Sequence, residues 1–132
     1  MSTIQSPEDW KGRFVSTVDL LMFIREKVNE GVMLEMFLGS VNAHAMRAFI
    51  EGSSMALQYN GIPDQEFKDF VVWLRDVKRE WPGDGWVKKY LRELGGDHEA
   101  AIKKFLDFVA EFVATRKSRV SAHGSSRESS VP

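Results

Sequence analysis

Asp84, Asp97 and His98 are of types suited to proton transfer. They sit at two glycine-rich junctions, Trp81-Pro82-Gly83-Asp84-Gly85-Trp86 and Gly95-Gly96-Asp97-His98. Two carboxylates and an imidazole at one end of a helical bundle could act as acid and base. Their spacing gives no reason for them to converge, because two glycines before an aspartate are also what a helix junction needs: a left-handed cap, a flexible residue and an N-cap. Metal chemistry has less support. The chain has no cysteine, and neither His44 nor His98 has a second ligand three or four residues away. His98 reads as a solvent-facing first-turn residue, and His44 as a half-buried, hydrogen-bonded histidine beside an apolar helix face. Ser40, Ser53 and Ser54 lack the strand and Gly-x-Ser-x-Gly elbow that would activate a serine. Ser40 reads as a helix cap, and the other two as packing positions beside Gly52. The run Pro82–Gly85 lacks the lysine and Ser/Thr of a phosphate loop. No catalytic residue, metal ligand or cofactor is assigned.

The turn between Trp81 and Trp86 is the most individual feature. Packing of both indoles into the core, with the glycines permitting a tight reversal, is the favoured reading. The competing reading uses Trp86 with Asp84 as a recognition surface, since tryptophan is enriched among binding hot spots. With the second junction added, the candidate binding residues are Trp86, Asp84, Asp97 and His98.

These residues need elements to hold them, and the apolar period is helical almost everywhere. Phe67, Phe70, Val71, Leu74, Val77 and Trp81 recur at steps of three and four, predicting a helix from Asp64 to about Glu80 that Pro82 stops. Ile102, Phe105, Phe108 or Val109, Phe112 and Val113 predict another from Asp97 to about Lys117. Within it, Glu99–Lys103 attract at four-residue spacing and Asp107–Glu111 repel. A shorter helix runs from about Trp86 to Leu94, with Val87, Tyr90, Leu91 and Leu94 inward. Upstream, Leu20, Leu21, Phe23, Ile24 and Val28 mark a helix from about Thr17 to Glu30. A longer one runs from about Val41 to Tyr59, with Val41, Ala45, Ala48, Phe49, Gly52, Met55 and Ala56 on its inner side. The stretch Val32–Leu38 fits a short helix or a buried extended connection. Ser6-Pro7-Glu8-Asp9 reads as a cap and acidic first turn of a short helix around Trp10. No two-residue alternation marks a strand. The expected fold is all-α: one compact bundle of five to six helices over residues 1–117, joined by short loops. Residues 118–132, with six serines, are expected to form a disordered tail.

Composition narrows the function classes. The 132 residues suit one domain, 43% hydrophobic and 28% charged. No apolar run approaches the roughly 18 residues a membrane span needs, and Met1–Trp10 does not read as a secretory signal. A soluble cytoplasmic domain is the expected class. The net charge of −1 is unevenly spread: residues 1–85 hold nine basic and thirteen acidic side chains, residues 86–132 nine and six. The basic residues of the second part are interspersed with acids, whereas nucleic-acid binding draws on a concentrated stripe that neutralises several phosphates together. An acidic N-terminal portion instead suits a basic protein partner.

From Pro63 to Val113 the chain resembles small all-helical bacterial proteins, a largely uncharacterised group similar to immunity proteins of polymorphic toxin systems. The resemblance rests on Phe67-Lys68-Asp69-Phe70-Val71-Val72-Trp73-Leu74-Arg75, the Trp81–Trp86 turn, and the run from Gly95-Gly96-Asp97-His98 to Phe105-Leu106. It implies neutralisation of a cognate toxin by direct protein binding and carries over no site residue. Three functions therefore stand as expectations. The first is a cytoplasmic protein-binding domain of the immunity kind. The alternative is a small enzyme, or enzyme-associated subunit, with a polar site at the loop end. The third is an oligomerisation module, which would show a large exposed apolar patch on one helix.

Overall fold

The computed structural model describes residues 6–12, 14–81 and 85–130, with side chains as far as residue 117. Among the described residues the chain is all-α, with no strand, as the apolar period predicts. A 3-10 turn, Glu8–Trp10, precedes six helices: α1 Thr17–Asn29, α2 Glu35–Leu38, α3 Ala43–Tyr59, α4 Gln65–Asp76, α5 Trp86–Glu93 and α6 His98–Ser130. No helix among the described residues is long and apolar enough to cross a membrane. The expected N-terminal helix is a single 3-10 turn with no side-chain cap. The ambiguous Val32–Leu38 stretch resolves into the four-residue α2, seated by buried Leu34.

Helix α6 is the hub, packing against α1, α3, α4 and α5. Its inner stripe is Ala101, Ile102, Phe105, Leu106, Val109 and Phe112, all buried. Between the alternatives Phe108 and Val109, Val109 is the fully buried one. Phe105 stacks on Trp86 at 4.3 Å between ring centroids and meets Phe70 edge-on at 5.5 Å. Phe112 closes the cluster against Phe70 and Trp73. Each such ring contributes about 1.5–3 kcal/mol by leaving water. On the outer face Lys103 pairs with Glu99 at 3.0 Å. The repelling carboxylates are drawn apart to separate cations, Asp107 to Arg25 on α1 and Glu111 to Lys78.

Leu94, expected inward, is exposed because α5 ends at Glu93 and leaves it as the residue after the helix. Helices α4 and α3 also depart from expectation, for identifiable reasons. Helix α4 ends at Asp76, not near Glu80, and Val77 is exposed. Arg79 takes a left-handed conformation (φ 57°), which costs a non-glycine residue about 1–2 kcal/mol. The hydrogen bonds from Lys78 N–H to Trp73 O and Glu80 N–H to Leu74 O close the helix end, and the Lys78–Glu111 ion pair holds the turn down. Trp81 therefore does not continue the α4 stripe, though it still packs against the core. Helix α3 is turned about its axis relative to expectation. Its buried residues are Ala43, Met46 and Ile50, while Ala48, Gly52, Met55 and Ala56 are exposed. Alanine and glycine give too little apolar contrast to choose between the faces, and the bulk of Met46 and Ile50 decides.

Candidate functional site

The loop-end residues hold helix termini. Asp97 accepts a hydrogen bond from Ala100 N–H at 3.0 Å, capping α6 as expected, and is exposed. His98 is not solvent-facing. Half-buried, its Nδ1 accepts the N–H of Ala43 at 2.9 Å, so an imidazole on α6 caps the start of α3. An accepting Nδ1 carries no proton, so in the neutral ring the proton sits on Nε2. Asn42 completes the cap, its Oδ1 accepting from His44 N–H at 2.8 Å and Ala45 N–H at 3.2 Å. Ser40 is thus not the cap. His44 is exposed, its ring 6.1 Å from that of His98, so the two histidines exchange their expected surroundings.

Neighbours in sequence, Asp97 and His98 serve two different helices, Asp97 Oδ1 and His98 Nδ1 each accepting a backbone amide. Asp84, the third member of the expected set, lies outside the described residues. Trp86 is 2% exposed, and its burial favours the packing reading over the recognition reading. Part of its surface, with Trp81, Phe67, Ile50, Arg47 and Glu51, walls a hollow of about 260 Å³. Gly85 makes that junction possible by adopting φ 90°, a backbone position that side chains strain. Among the described residues no three His, Asp or Glu side chains gather into a metal-holding group.

A polar cluster that sequence reasoning missed ties four helices together. The Ser16 hydroxyl accepts from Asp19 N–H, the Asp19 carboxylate accepts from Ser16 N–H, and the two form a capping box on α1. Ser16 also donates to Glu66 on α4, which meets Arg116 of α6. Beside it, buried Thr17 donates its hydroxyl to buried Asp64, and its N–H reaches the same carboxylate. Because that hydroxyl proton is spent on Asp64, the Ser53 hydroxyl 3.1 Å away on α3 donates to Thr17. Every donor in this chain of hydroxyls ends on a carboxylate inside the protein. The cluster fastens α1, α3, α4 and α6, and no nucleophile is left poised in it. The Ser-x-x-Asp spacing at Ser16 was a legible signal, whereas the Thr17–Asp64 pairing depends on packing.

An open concave surface among the described residues lies elsewhere. Between the 3-10 turn and the outer face of α1 runs a cleft of about 740 Å³, lined by Pro7, Asp9, Trp10, Asp19, Met22, Phe23, Arg25, Glu26, Asn29 and Glu30. Its floor is aromatic, with Trp10 meeting Phe23 edge-on at 5.1 Å and Phe23 meeting Phe37 at 6.3 Å. Its walls carry four carboxylates against one guanidinium. Arg25 is engaged by Asp107 at 3.1 Å, Glu30 by Lys27 at 3.4 Å, and Asp19 belongs to the capping box. The exposed carboxylates of Asp9 and Glu26 have no ion-pair partner among the described residues. The sequence offers only the acidic balance of its first part as a hint of this cleft. Trp10 and Phe23 form its floor through tertiary packing.

Compared with protein-family models, with curated proteins and with solved structures, the chain matches none.

Proposed function

We propose that the chain is a protein-binding domain of the immunity kind, acting in the cytoplasm to neutralise a toxin by covering a basic surface on it. The observation that carries this reading is the acidic, aromatic-floored cleft between the 3-10 turn and α1. Its charges are too exposed to give much energy singly, since an exposed ion pair is worth about 0–1 kcal/mol. Their collective effect is to steer a basic surface toward the cleft and raise its association rate. Trp10 then supplies the contact energy, as a half-buried indole whose neighbours Met22 and Phe23 are apolar. The enzyme reading has no comparable support, because Asp97 Oδ1 and His98 Nδ1 cap two different helices.

Co-expression with the product of the adjacent gene tests the proposal. The expected result is co-purification and relief of growth inhibition, with both lost in the Asp9→Lys/Glu26→Lys double variant while its helical circular dichroism is retained. If no neighbour binds and no toxicity is relieved, or if charge reversal leaves binding untouched, the proposal fails.

A further inference from the structure

We infer that the outer face of α3 is a self-association surface on which a second copy of this chain docks antiparallel about a two-fold axis. Helix α3 is apolar on two sides. One side is buried in the core through Ala43, Met46 and Ile50. The other carries Ala45, Ala48, Gly52, Met55 and Tyr59, at alternating steps of three and four, the spacing of a coiled-coil seam. From Ala48 onward this seam is exposed, Met55 to 50% and Tyr59 to 82%. A helix in a folded domain needs one apolar face, so the second requires its own cover.

The distribution of bulk along the seam selects the occupant. Its N-terminal half is small and its C-terminal half large. In an antiparallel pair with its axis level with Ile50, Ala48 lies opposite Gly52 of the second copy, and Ala45 opposite Met55 of the second copy. Tyr59, at the end of α3, lies level with the extended residues that precede α3 of the second copy. Met55 then faces a small side chain, and Ala48 and Gly52 let the backbones approach closely. A parallel pair would set Tyr59 on Tyr59 and hold the alanines apart. The charges agree with the antiparallel register. Arg47 and Glu51 share one flank and pair within the helix at 3.0 Å. Across the axis Arg47 falls about 3 Å along the helix from the level of Glu51 of the second copy, so the two copies can exchange partners. An unrelated protein has no reason to reproduce this reciprocal pattern. The seam uses neither the 3-10 turn nor α1, so the inference stands apart from the partner cleft.

Sedimentation of the purified full chain, from micromolar to near-millimolar concentration, provides the test. The mass is expected to rise with concentration from 15.1 kDa to twice that value. Gly52→Gln adds a side chain that meets no atom within 4 Å of its first carbon in the single chain. It should keep the helical circular dichroism and weaken the dimer by about tenfold or more, the effect of overpacking a tight contact. Since the chain has no cysteine, disulfide formation reads the register. Ala48→Cys chains mixed with Gly52→Cys chains should form the mixed dimer in preference to either homodimer. A chain that stays monomeric throughout overturns the inference. So does a Gly52→Gln chain that dimerises like the parent, or an Ala48→Cys chain that cross-links to itself as readily as to the mixture.

Discussion

At the scale of single residues, the polar side chains at the helix starts hold backbone amides. His98 is the clearest case, because an imidazole from α6 takes the first amide of α3. His98→Ala should cost about 1 kcal/mol in chemical denaturation, the usual worth of an N-cap. His98→Asn, whose Oδ1 can stand near the lost Nδ1, should recover part of it; equal loss in both variants would contradict the capping role. Tyr90 is the exception to this thrift. Its hydroxyl is buried and has no hydrogen-bond partner among the described residues. Burial, and then the nearby Glu80 and Glu93 carboxylates, push its ionisation well above the ordinary tyrosine range. The sign follows directly. A raised acid favours the neutral ring in the fold, so this contribution is complete below about pH 10 and is lost as pH rises further. Tyr90→Phe removes a buried unpaired hydroxyl and should raise stability at neutral pH by about 1 kcal/mol. It should also flatten the alkaline decline, and an unchanged alkaline transition would remove Tyr90 from the account. None of this was legible in sequence, where Tyr90 shows only as an inward-facing aromatic. Whether a buried hydroxyl finds a partner depends on the neighbouring helices.

At the scale of elements, legibility tracks side-chain bulk. The inner faces of α5 and α6 read correctly at their large side chains, Tyr90, Phe105 and Phe112, although Leu94 is exposed and α6 runs on to Ser130, past its expected end near Lys117. The same reading fails on α3, where Ala45, Ala48, Gly52 and Ala56 fit either face, and it overshoots on α4, whose end is set by Arg79 and the Lys78–Glu111 pair. The α3 result carries its own prediction. Gly52 lies in the interior of a helix with open space where a Cβ would go. Gly52→Ala should stabilise the monomer by about 0.5–1 kcal/mol, measured by urea denaturation at low concentration. A loss of stability would mean that the face is covered within one chain. Trp86, by contrast, is held between the rings of Tyr90 and Phe105. Trp86→Ala should cost about 3–5 kcal/mol through the cavity it leaves, read as a fall in the urea midpoint.

At the scale of the whole molecule, the acidic balance of the first part of the chain becomes a place. The carboxylates of Asp9 and Glu26 rim a cleft floored by Trp10 and Phe23, on the opposite side of α1 from the core residues Leu21 and Ile24. The sequence marks the charge but not the cleft, since Trp10 reaches Phe23 across a connection with no periodic pattern. Of the residues it singles out at the loop end, Asp97 and His98 cap α6 and α3, and Trp86 stacks on Phe105. The most direct measurement is a nuclear magnetic resonance titration of the full chain with a short lysine- and arginine-rich peptide at low salt. The account predicts amide shifts confined to Glu8–Trp10 and the outer face of α1, abolished in Asp9→Lys/Glu26→Lys and weakened as salt screens the charges. Shifts centred on α4 or α6, or none at all, would contradict it.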